Sequence, residues 1–193
     1  TPEEFLETSL ASAHGALKYA GLSWADVQGI GFANQGETSM AWSSNTGLGV
    51  GPALSWEDRR TSDICEKLEA DGVDNLVRER TGIMLDPYFS ASKFRWLIDN
   101  VSSVASACSN GSLRLGGTET YVIDRLTSGD VHATDAGTAS RTALFNLRDV
   151  KWDSELLNAF GLAENQLPSV RPTCGDYGTA RHASFTGATV PIT

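Results

Sequence analysis

The order of helix and strand patterns along the first third of the chain is the feature that most restricts its fold. Apolar residues recur at helical spacing over 5–20, and Gly21 can end this helix. A run of small and apolar residues, 27–33, then predicts a buried strand. Strand patterns at 39–42 and 53–56 flank a turn rich in Ser, Asn and Gly. This order, followed by more helices, is typical of the α/β class.

Further helices are predicted along the rest of the chain, over 60–70, 73–80, 92–100, 118–126 and 153–160. The Ser- and Ala-rich stretch 101–110 is interpreted as a surface loop, and 170–193 as mixed turn and strand. The chain has 193 residues, of which 40% are hydrophobic, so it can form one domain or part of a larger two-domain protein.

Charge and composition exclude several classes of function. The formal net charge of −9 argues against binding to nucleic acid or to an anionic membrane, because such surfaces repel phosphate groups. No apolar run approaches the ~20 residues of a membrane span, and the acidic first residues do not resemble a signal peptide. The chain does not begin with Met, so we expect it to start within a longer protein.

The three cysteines, Cys65, Cys108 and Cys174, are far apart in the sequence. No pair has Cys-x-x-Cys spacing, so the sequence predicts neither a disulfide framework nor a zinc site. A reducing, cytoplasmic location is the simpler interpretation.

The first candidate binding segment is the polar run 34–38, which follows the predicted strand 27–33. Ligands of open α/β sheets bind beyond the carboxyl ends of strands. The amide of Gln35 and the carboxylate of Glu37 could therefore exchange hydrogen bonds with hydroxyl groups. The alternative is an ordinary polar turn between two strands.

Two further segments combine aromatic and charged residues. Trp56 precedes the charged run 57–60, an arrangement that suits stacking on the apolar face of a sugar. The alternative, acids at a helix N-terminus with a local ion pair, explains the acids but not Trp56. In the segment 86–90, Tyr88 could form a pocket wall, although these residues by themselves favour a proline turn with core aromatics.

Other motifs favour structural roles. The Gly-rich run 47–51 predicts a hairpin turn, because its glycine offsets differ from a dinucleotide fingerprint and a strand pattern follows it. The sequence contains no Gly-Lys-Ser/Thr phosphate loop. The histidines His14, His132 and His182 stand beside no plausible nucleophile, and no metal ligands are predicted.

One longer segment resembles a known family. Residues 88–100 match every defined position of the first signature of the FGGY carbohydrate kinases: an aromatic residue, a small hydroxyl residue, Lys, an apolar residue, Trp, another apolar residue and Asp-Asn. Within that family, 29–38 resembles the GITNQRET segment of glycerol kinases, and 56–61 resembles their WQDRRT segment. Counterparts continue through 134–142 and 167–172, so the resemblance covers nearly the whole chain.

The resemblance implies a ribonuclease H-like, actin-like ATPase fold of two α/β domains, with ATP and Mg²⁺ bound between them. Residues 1–193 would be the first, acceptor-binding domain, incomplete at both ends, and the nucleotide-binding domain would lie outside the chain. The partners would be ATP and a small polyol or sugar. Whether the protein forms a homodimer is left open. The full-length protein would phosphorylate a hydroxyl group.

The same resemblance implies site residues. Glu37, Trp56 and Tyr88 would line the acceptor pocket, with Gln35 and Gly36 beside them. No catalytic residue is expected in the chain, because the family's general base, an Asp, would lie beyond Thr193 and its phosphate hairpin would precede Thr1. The fragment alone is therefore expected to be inactive.

Two departures from the family pattern concern these segments. Gly36 stands where glycerol kinases carry an Arg that donates hydrogen bonds to glycerol, and losing a charge-assisted bond costs about 1.5–3 kcal/mol. Ala136 and Thr138 replace a Tyr and an Asn. Three hypotheses therefore remain. The acceptor is glycerol or a related small polyol, or it is a ketose such as xylulose or ribulose. In the third hypothesis the protein is a non-catalytic module that binds a sugar without reaction.

Overall fold

The structure is a computed structural model that describes all residues 1–193. Its first element, helix α1 (Pro2–Ala20), begins with a capping box. The Thr1 hydroxyl accepts the N–H of Glu4 at 3.2 Å, and the Glu4 carboxylate accepts from the Thr1 amino group at 2.6 Å. Gly21, with φ 70°, ends the helix as its sequence pattern predicts.

Seven more helices follow, and most of them match the predicted segments. They are α2 (Ser62–Ala70), α3 (Val73–Thr81), α4 (Ser90–Asn100), α5 (Ser102–Ser109), α6 (Thr118–Leu126), α7 (Ala136–Ala139) and α8 (Ser154–Phe160). Short 3₁₀ turns lie at Trp24–Asp26, Ser140–Thr142, Glu164–Gln166 and Ala183–Phe185.

The interpretation of 101–110 as a loop was wrong, since α5 occupies most of it. Val104 and Ala107 are buried in the main core, which supplies the packing energy that a Ser-rich helix lacks by itself. The hydroxyl of Ser106 donates to the Ser102 carbonyl one turn earlier at 2.8 Å, so this serine is satisfied within the helix.

Eight short strands form four pairs. They are β1 (Met40–Ser43), β2 (Leu113–Gly116), β3 (Ala133–Asp135), β4 (Phe145–Asn146), β5 (Lys151–Trp152), β6 (Ser169–Arg171), β7 (Thr179–Ala180) and β8 (Val190–Pro191). Strands β1 and β2 are antiparallel, with Met40 opposite Gly116, and β3 and β6 are parallel. The pairs β4–β5 and β7–β8 are antiparallel.

Two strand predictions need correction. Residues 27–33 form only one bridge, between Ile30 and Ile192, and most of them are exposed because no strand pairs with their other side. Residues 53–56 contribute only the Ser39–Leu54 bridge, and the main partner of β1 is instead β2. The predicted hairpin is present, but its turn lies at 44–46, before the Gly-rich run, and Gly49 then bridges Trp42.

Two main hydrophobic clusters hold the elements together. The larger contains 21 buried residues and centres on α4, whose Phe94 and Leu97 are almost fully buried. The second contains 11 buried residues and packs the apolar face of α1 against α6 and the C-terminal strands. None of the helices combines the length and apolar character that a membrane crossing requires.

Candidate functional site

An aromatic pair forms one end of the candidate site. Trp56 lies just after the Ser39–Leu54 bridge and is 39% exposed. The ring of Tyr88, half-buried in the loop before α4, lies 5.6 Å from the Trp56 ring at 60°. The pair therefore presents an apolar surface bordered by a phenol hydroxyl, which is the combination that carbohydrate-binding sites use.

The loop that carries Tyr88 is fixed by charged residues on both sides. Asp86 accepts the N–H of Tyr88 at 2.8 Å, and Arg59 binds both carboxylate oxygens of Asp86 at 3.3 and 3.4 Å. The ammonium group of Lys93 donates to the carbonyls of Pro87 at 2.7 Å and Tyr88 at 2.6 Å. The backbone of Tyr88 is thus held from two directions.

Lys93 is a fully buried cation in the first turn of α4. Burial lowers its pKa to about 8, while the nearby carboxylates of Asp58 and Glu37 act in the opposite direction. The side chain consequently remains mostly protonated at neutral pH and keeps its donors for the loop carbonyls. Its buried charge is compensated by hydrogen bonds to backbone oxygens rather than by a direct ion pair.

Glu37 forms the other end of the site. It is 8% exposed, and its Oε1 atom accepts from Nε of Arg141 at 2.6 Å. The guanidinium of Arg141 lies 5.0 Å above the ring of Phe89, whose centre is 5.2 Å from that of Tyr88. Glu37, Arg141, Phe89, Tyr88 and Trp56 therefore form one continuous row of contacts, which we call the contact row.

The structure thus brings Glu37, Trp56 and Tyr88 onto one connected surface. Arg141, which links them, was assigned no role from the sequence. Its segment has a counterpart in the family, but its partner Glu37 is 104 residues away, so spacing alone could not reveal the contact.

The two remaining predicted residues have different surroundings. A Cβ atom at Gly36 would lie 3.5 Å from Cγ of Arg141 and 3.8 Å from the methyl group of Thr138. Gln35 is exposed, and its side-chain oxygen accepts from the hydroxyl of Thr38 at 3.1 Å. Gly36 therefore borders the contact row, whereas Gln35 stabilises the turn that leads into it.

A polar cavity of about 210 Å³ lies next to Gly36 and shares Thr138 with it. Its lining includes Asn34 and two carboxylates, those of Glu119 and Asp135. Glu37, Trp56 and Tyr88 do not line this cavity, so the contact row is an open face beside it.

The two carboxylates of this cavity are held by local donors. Glu119 accepts from the hydroxyl of Thr134 at 2.8 Å and from the side-chain amide of Asn34. Asp135 accepts from the hydroxyl of Thr173 at 2.6 Å. Burial by itself would raise the pKa of Asp135, but the hydrogen bonds outweigh it and the net pKa is lowered. Neither acid was assigned a role from the sequence.

The histidines and acids form no separate catalytic arrangement. His132 is half-buried, its Nε2 atom lies 3.0 Å from the Leu115 carbonyl oxygen, and His182 contacts nearby residues such as Ser184. No group of three His, Cys, Asp or Glu side chains could hold a metal ion. Cys65, Cys108 and Cys174 are free thiols.

Comparison with known proteins places this chain among the carbohydrate kinases. Residues 1–193 match the model of the FGGY family of carbohydrate kinases, N-terminal domain, and the chain belongs to this family. The resemblance seen in the sequence is therefore confirmed.

The curated relatives include many glycerol kinases. That of Thermus brockianus is 43% identical over 191 residues, which are 99% of this chain and 38% of that protein. That of Rhodopseudomonas palustris is 41% identical over 187 residues, 97% of this chain and 37% of that protein. The chain thus spans well under half the length of these relatives.

Solved structures agree on the fold. A glycerol kinase of Plasmodium falciparum in complex with ADP superimposes with a TM-score of 0.81 and 30% identity, over 86% of this chain and 33% of that one. A xylulose kinase of Lactobacillus acidophilus gives 0.77 at 19% identity, over 100% of this chain and 38% of that one. The expected α/β, actin-like fold is confirmed.

Proposed function

We propose that the full-length protein transfers the γ-phosphoryl group of ATP to a hydroxyl group of a small polyol or sugar. Within it, residues 1–193 would form the first, acceptor-binding domain, and a second domain outside the chain would supply most nucleotide contacts. The observation that carries the proposal is the contact row, which joins an acid, an indole and a phenol on one face. The family of the chain and its glycerol kinase relatives support it.

Each of the three predicted residues has a role suited to its chemistry. The carboxylate of Glu37 would accept hydrogen bonds from acceptor hydroxyls, with its orientation set by Arg141. Trp56 would pack against the carbon chain of the acceptor, and Tyr88 would combine packing with a hydrogen bond from its hydroxyl. Such fixed contacts would hold the reacting hydroxyl in one orientation.

Orientation is the main contribution that this part of the protein can make. The transition state of phosphoryl transfer is loose, so positioning and charge neutralisation provide most of the rate increase. A carboxylate beyond Thr193 would remove the proton of the acceptor hydroxyl. Mg²⁺ accompanies ATP in such reactions, but the residues of this chain form no three-ligand metal centre, so its binding is not assigned to them.

One observation favours a larger acceptor, such as a ketose, as a second candidate. Gly36 has no side chain, and the atoms nearest to where a Cβ would lie belong to Arg141 and Thr138, at 3.5 to 3.8 Å. The space beside Glu37 is therefore wider than a side chain at this position would allow. Xylulose or ribulose would then replace glycerol as the preferred acceptor within the same reaction.

The location that we propose is the cytoplasm. Its support is the presence of three free thiols, one of them exposed, which is typical of proteins in a reducing compartment. That the full-length protein forms a homodimer stays a prediction.

The test is an assay of ADP release by the full-length protein with glycerol, tetritols, pentitols and ketoses. We expect acceptor-dependent ADP release with at least one of them, and the rank order of kcat/KM identifies the acceptor. A protein that binds one of these compounds but releases no ADP would instead be a non-catalytic sugar-binding module. No turnover with any of them would contradict the proposal.

A further inference from the structure

Arg141 has more hydrogen-bonding capacity than its contacts within the chain use. Its Nε atom donates to Glu37 at 2.6 Å, whereas its terminal nitrogens, Nη1 and Nη2, donate to no group of the chain. The side chain is 40% exposed, so these donors face the open surface. A guanidinium presents its donors in a planar fork, and one side of this fork is available for a ligand.

The plane of this fork is held in place. The guanidinium lies 5.0 Å above the ring of Phe89, a distance at which a cation and an aromatic face attract each other. Together with the bond to Glu37, this contact limits the rotation of the group. The free donors are therefore directed before any ligand binds, which reduces the entropy lost on binding.

Gly36 keeps the approach to Arg141 open. Its φ angle is not in the left-handed region, so the backbone does not require glycine here. A Cβ atom would already touch the Arg141 stem at 3.5 Å, so a longer side chain would add volume directly beside Arg141. The consequence of glycine at this position is free space rather than a special backbone conformation.

We propose that Arg141 is a specificity-determining residue whose terminal nitrogens bind an acceptor oxygen beyond the one held by Glu37. This inference rests on the proposed function and names its acceptor class: polyols or ketoses longer than glycerol. Three successive contacts, of 5.6, 5.2 and 5.0 Å, lead from Trp56 to Arg141. The rings of Tyr88 and Phe89 lie between Trp56 and Arg141 in the contact row, so an acceptor that touches both ends must extend past these rings, which a longer carbon chain does better than glycerol.

Calorimetric titration of the full-length protein without nucleotide tests this role. The probes are glycerol, erythritol and xylulose. We expect the wild type to bind at least one of the two longer probes more tightly than glycerol. Arg141→Lys keeps a cation beside Glu37 but loses the planar fork of donors. We expect it to weaken binding of the longer probes about tenfold, which corresponds to the loss of one good hydrogen bond. We expect it to weaken binding of glycerol by less than about threefold.

A second variant and a control separate this role from a structural one. Gly36→Leu leaves the Arg141–Glu37 pair in place but covers the approach, and it is expected to reduce the same selectivity for longer probes. Arg148→Lys changes an exposed arginine of the loop between β4 and β5 and is expected to bind every probe like the wild type. Thermal unfolding of each variant checks that its fold is retained.

The outcomes distinguish the inference from the proposed function. If the wild type binds none of the three probes, the acceptor class is wrong and the inference fails with it. If it binds them and both variants leave the selectivity unchanged, the proposed function stands and the role of Arg141 is overturned. Equal losses for glycerol and the longer probes in Arg141→Lys also overturn it, because they would mean that Arg141 acts only by orienting Glu37.

Discussion

At the scale of single residues, His132 is the group whose titration the fold changes most clearly. Its half-buried ring lies 5.2 Å from the Trp42 ring, and its Nε2 atom lies 3.0 Å from the Leu115 carbonyl oxygen. Burial lowers its pKa from 6.5 to about 4; the nearby positive charge of Arg114 acts in the same direction, while the hydrogen bond to the Leu115 carbonyl opposes both. The folded protein therefore keeps this ring neutral over a pH range in which the unfolded chain protonates it.

The sign of the resulting pH dependence follows from proton binding. Between pH 6.5 and about 4 the unfolded chain binds a proton at His132 that the folded protein does not. The free energy of unfolding therefore falls as the pH is lowered through this window, by up to about 3 kcal/mol from this residue. We expect His132→Gln, which keeps a neutral donor, to lose less stability than the wild type between these pH values.

Urea unfolding at a series of pH values measures this difference. His14→Gln, which changes an exposed histidine of α1, is the matched control and should follow the wild type. A His132→Gln variant with the same acid sensitivity as the wild type would show that the imidazole is accessible to protons in the folded state.

Glu37 gives a second prediction at this scale. Glu37→Gln retains the shape of the side chain but removes the charge that strengthens hydrogen bonds to acceptor hydroxyls. Losing a charge-assisted bond costs about 1.5–3 kcal/mol. This corresponds to a decrease of roughly 10- to 100-fold in kcat/KM for the acceptor.

Steady-state kinetics of the full-length protein with its best acceptor measures this loss. Glu66→Gln, an exposed acid on α2, is the control and should keep the wild-type value. Unchanged kcat/KM in Glu37→Gln would remove Glu37 from the acceptor site.

At the scale of elements, the start of α4 and the loop before it depend on Lys93. Its ammonium group satisfies the carbonyls of Pro87 and Tyr88, which have no other partner of comparable geometry. Lys93→Met would keep the buried volume and leave these carbonyls without donors. We expect it to lower the free energy of unfolding by about 1–3 kcal/mol and to raise KM for the acceptor, because Tyr88 loses its support.

Unfolding and acceptor kinetics of the same variant test both effects. Lys67→Met, which changes an exposed lysine on α2, is the control. If Lys93→Met lowers stability without altering KM, the loop position would not depend on this lysine.

The elements also show why only part of the fold and site could be predicted from the sequence. Helix α1 was predictable because its start and end are local: Thr1 and Glu4 cap it, and Gly21 ends it. The partner of β1 was not, because β2 lies far along the chain and β pairing leaves no signal at a fixed spacing. Helix α5 was missed since its stability comes from burial of residues such as Val104, which composition does not reveal.

The same reasoning applies to the site. Trp56 and Tyr88 were recognisable because their segments carry family motifs, but the contact between their rings arises only in the fold. The contact between Arg141 and Glu37 and the buried acid Glu119 result from packing between distant segments. Long-range contacts of this kind depend on tertiary structure and have no local pattern.

At the scale of the whole molecule, the proposed function divides catalysis between this chain and residues outside it. The proposed acceptor surface lies within the chain, whereas the general base and most nucleotide contacts are proposed to lie outside it. We therefore expect a purified polypeptide of residues 1–193 to release no ADP above background with any of the acceptors. Circular dichroism would confirm that the polypeptide is folded, and the full-length protein assayed alongside is the positive control.

Acceptor-dependent ADP release by residues 1–193 alone would contradict the proposal that the general base and most nucleotide contacts lie outside this chain. It would mean that the reacting groups lie within residues 1–193.

The single bridge formed by residues 27–33 affects how this polypeptide would behave in concentrated solution. One side of this segment presents amide and carbonyl groups that no neighbouring strand satisfies, and such an edge can pair with the same edge of another molecule. The net charge of −9 keeps the molecules apart by mutual repulsion. Because salt weakens that repulsion, aggregation of the isolated polypeptide should increase with ionic strength rather than decrease.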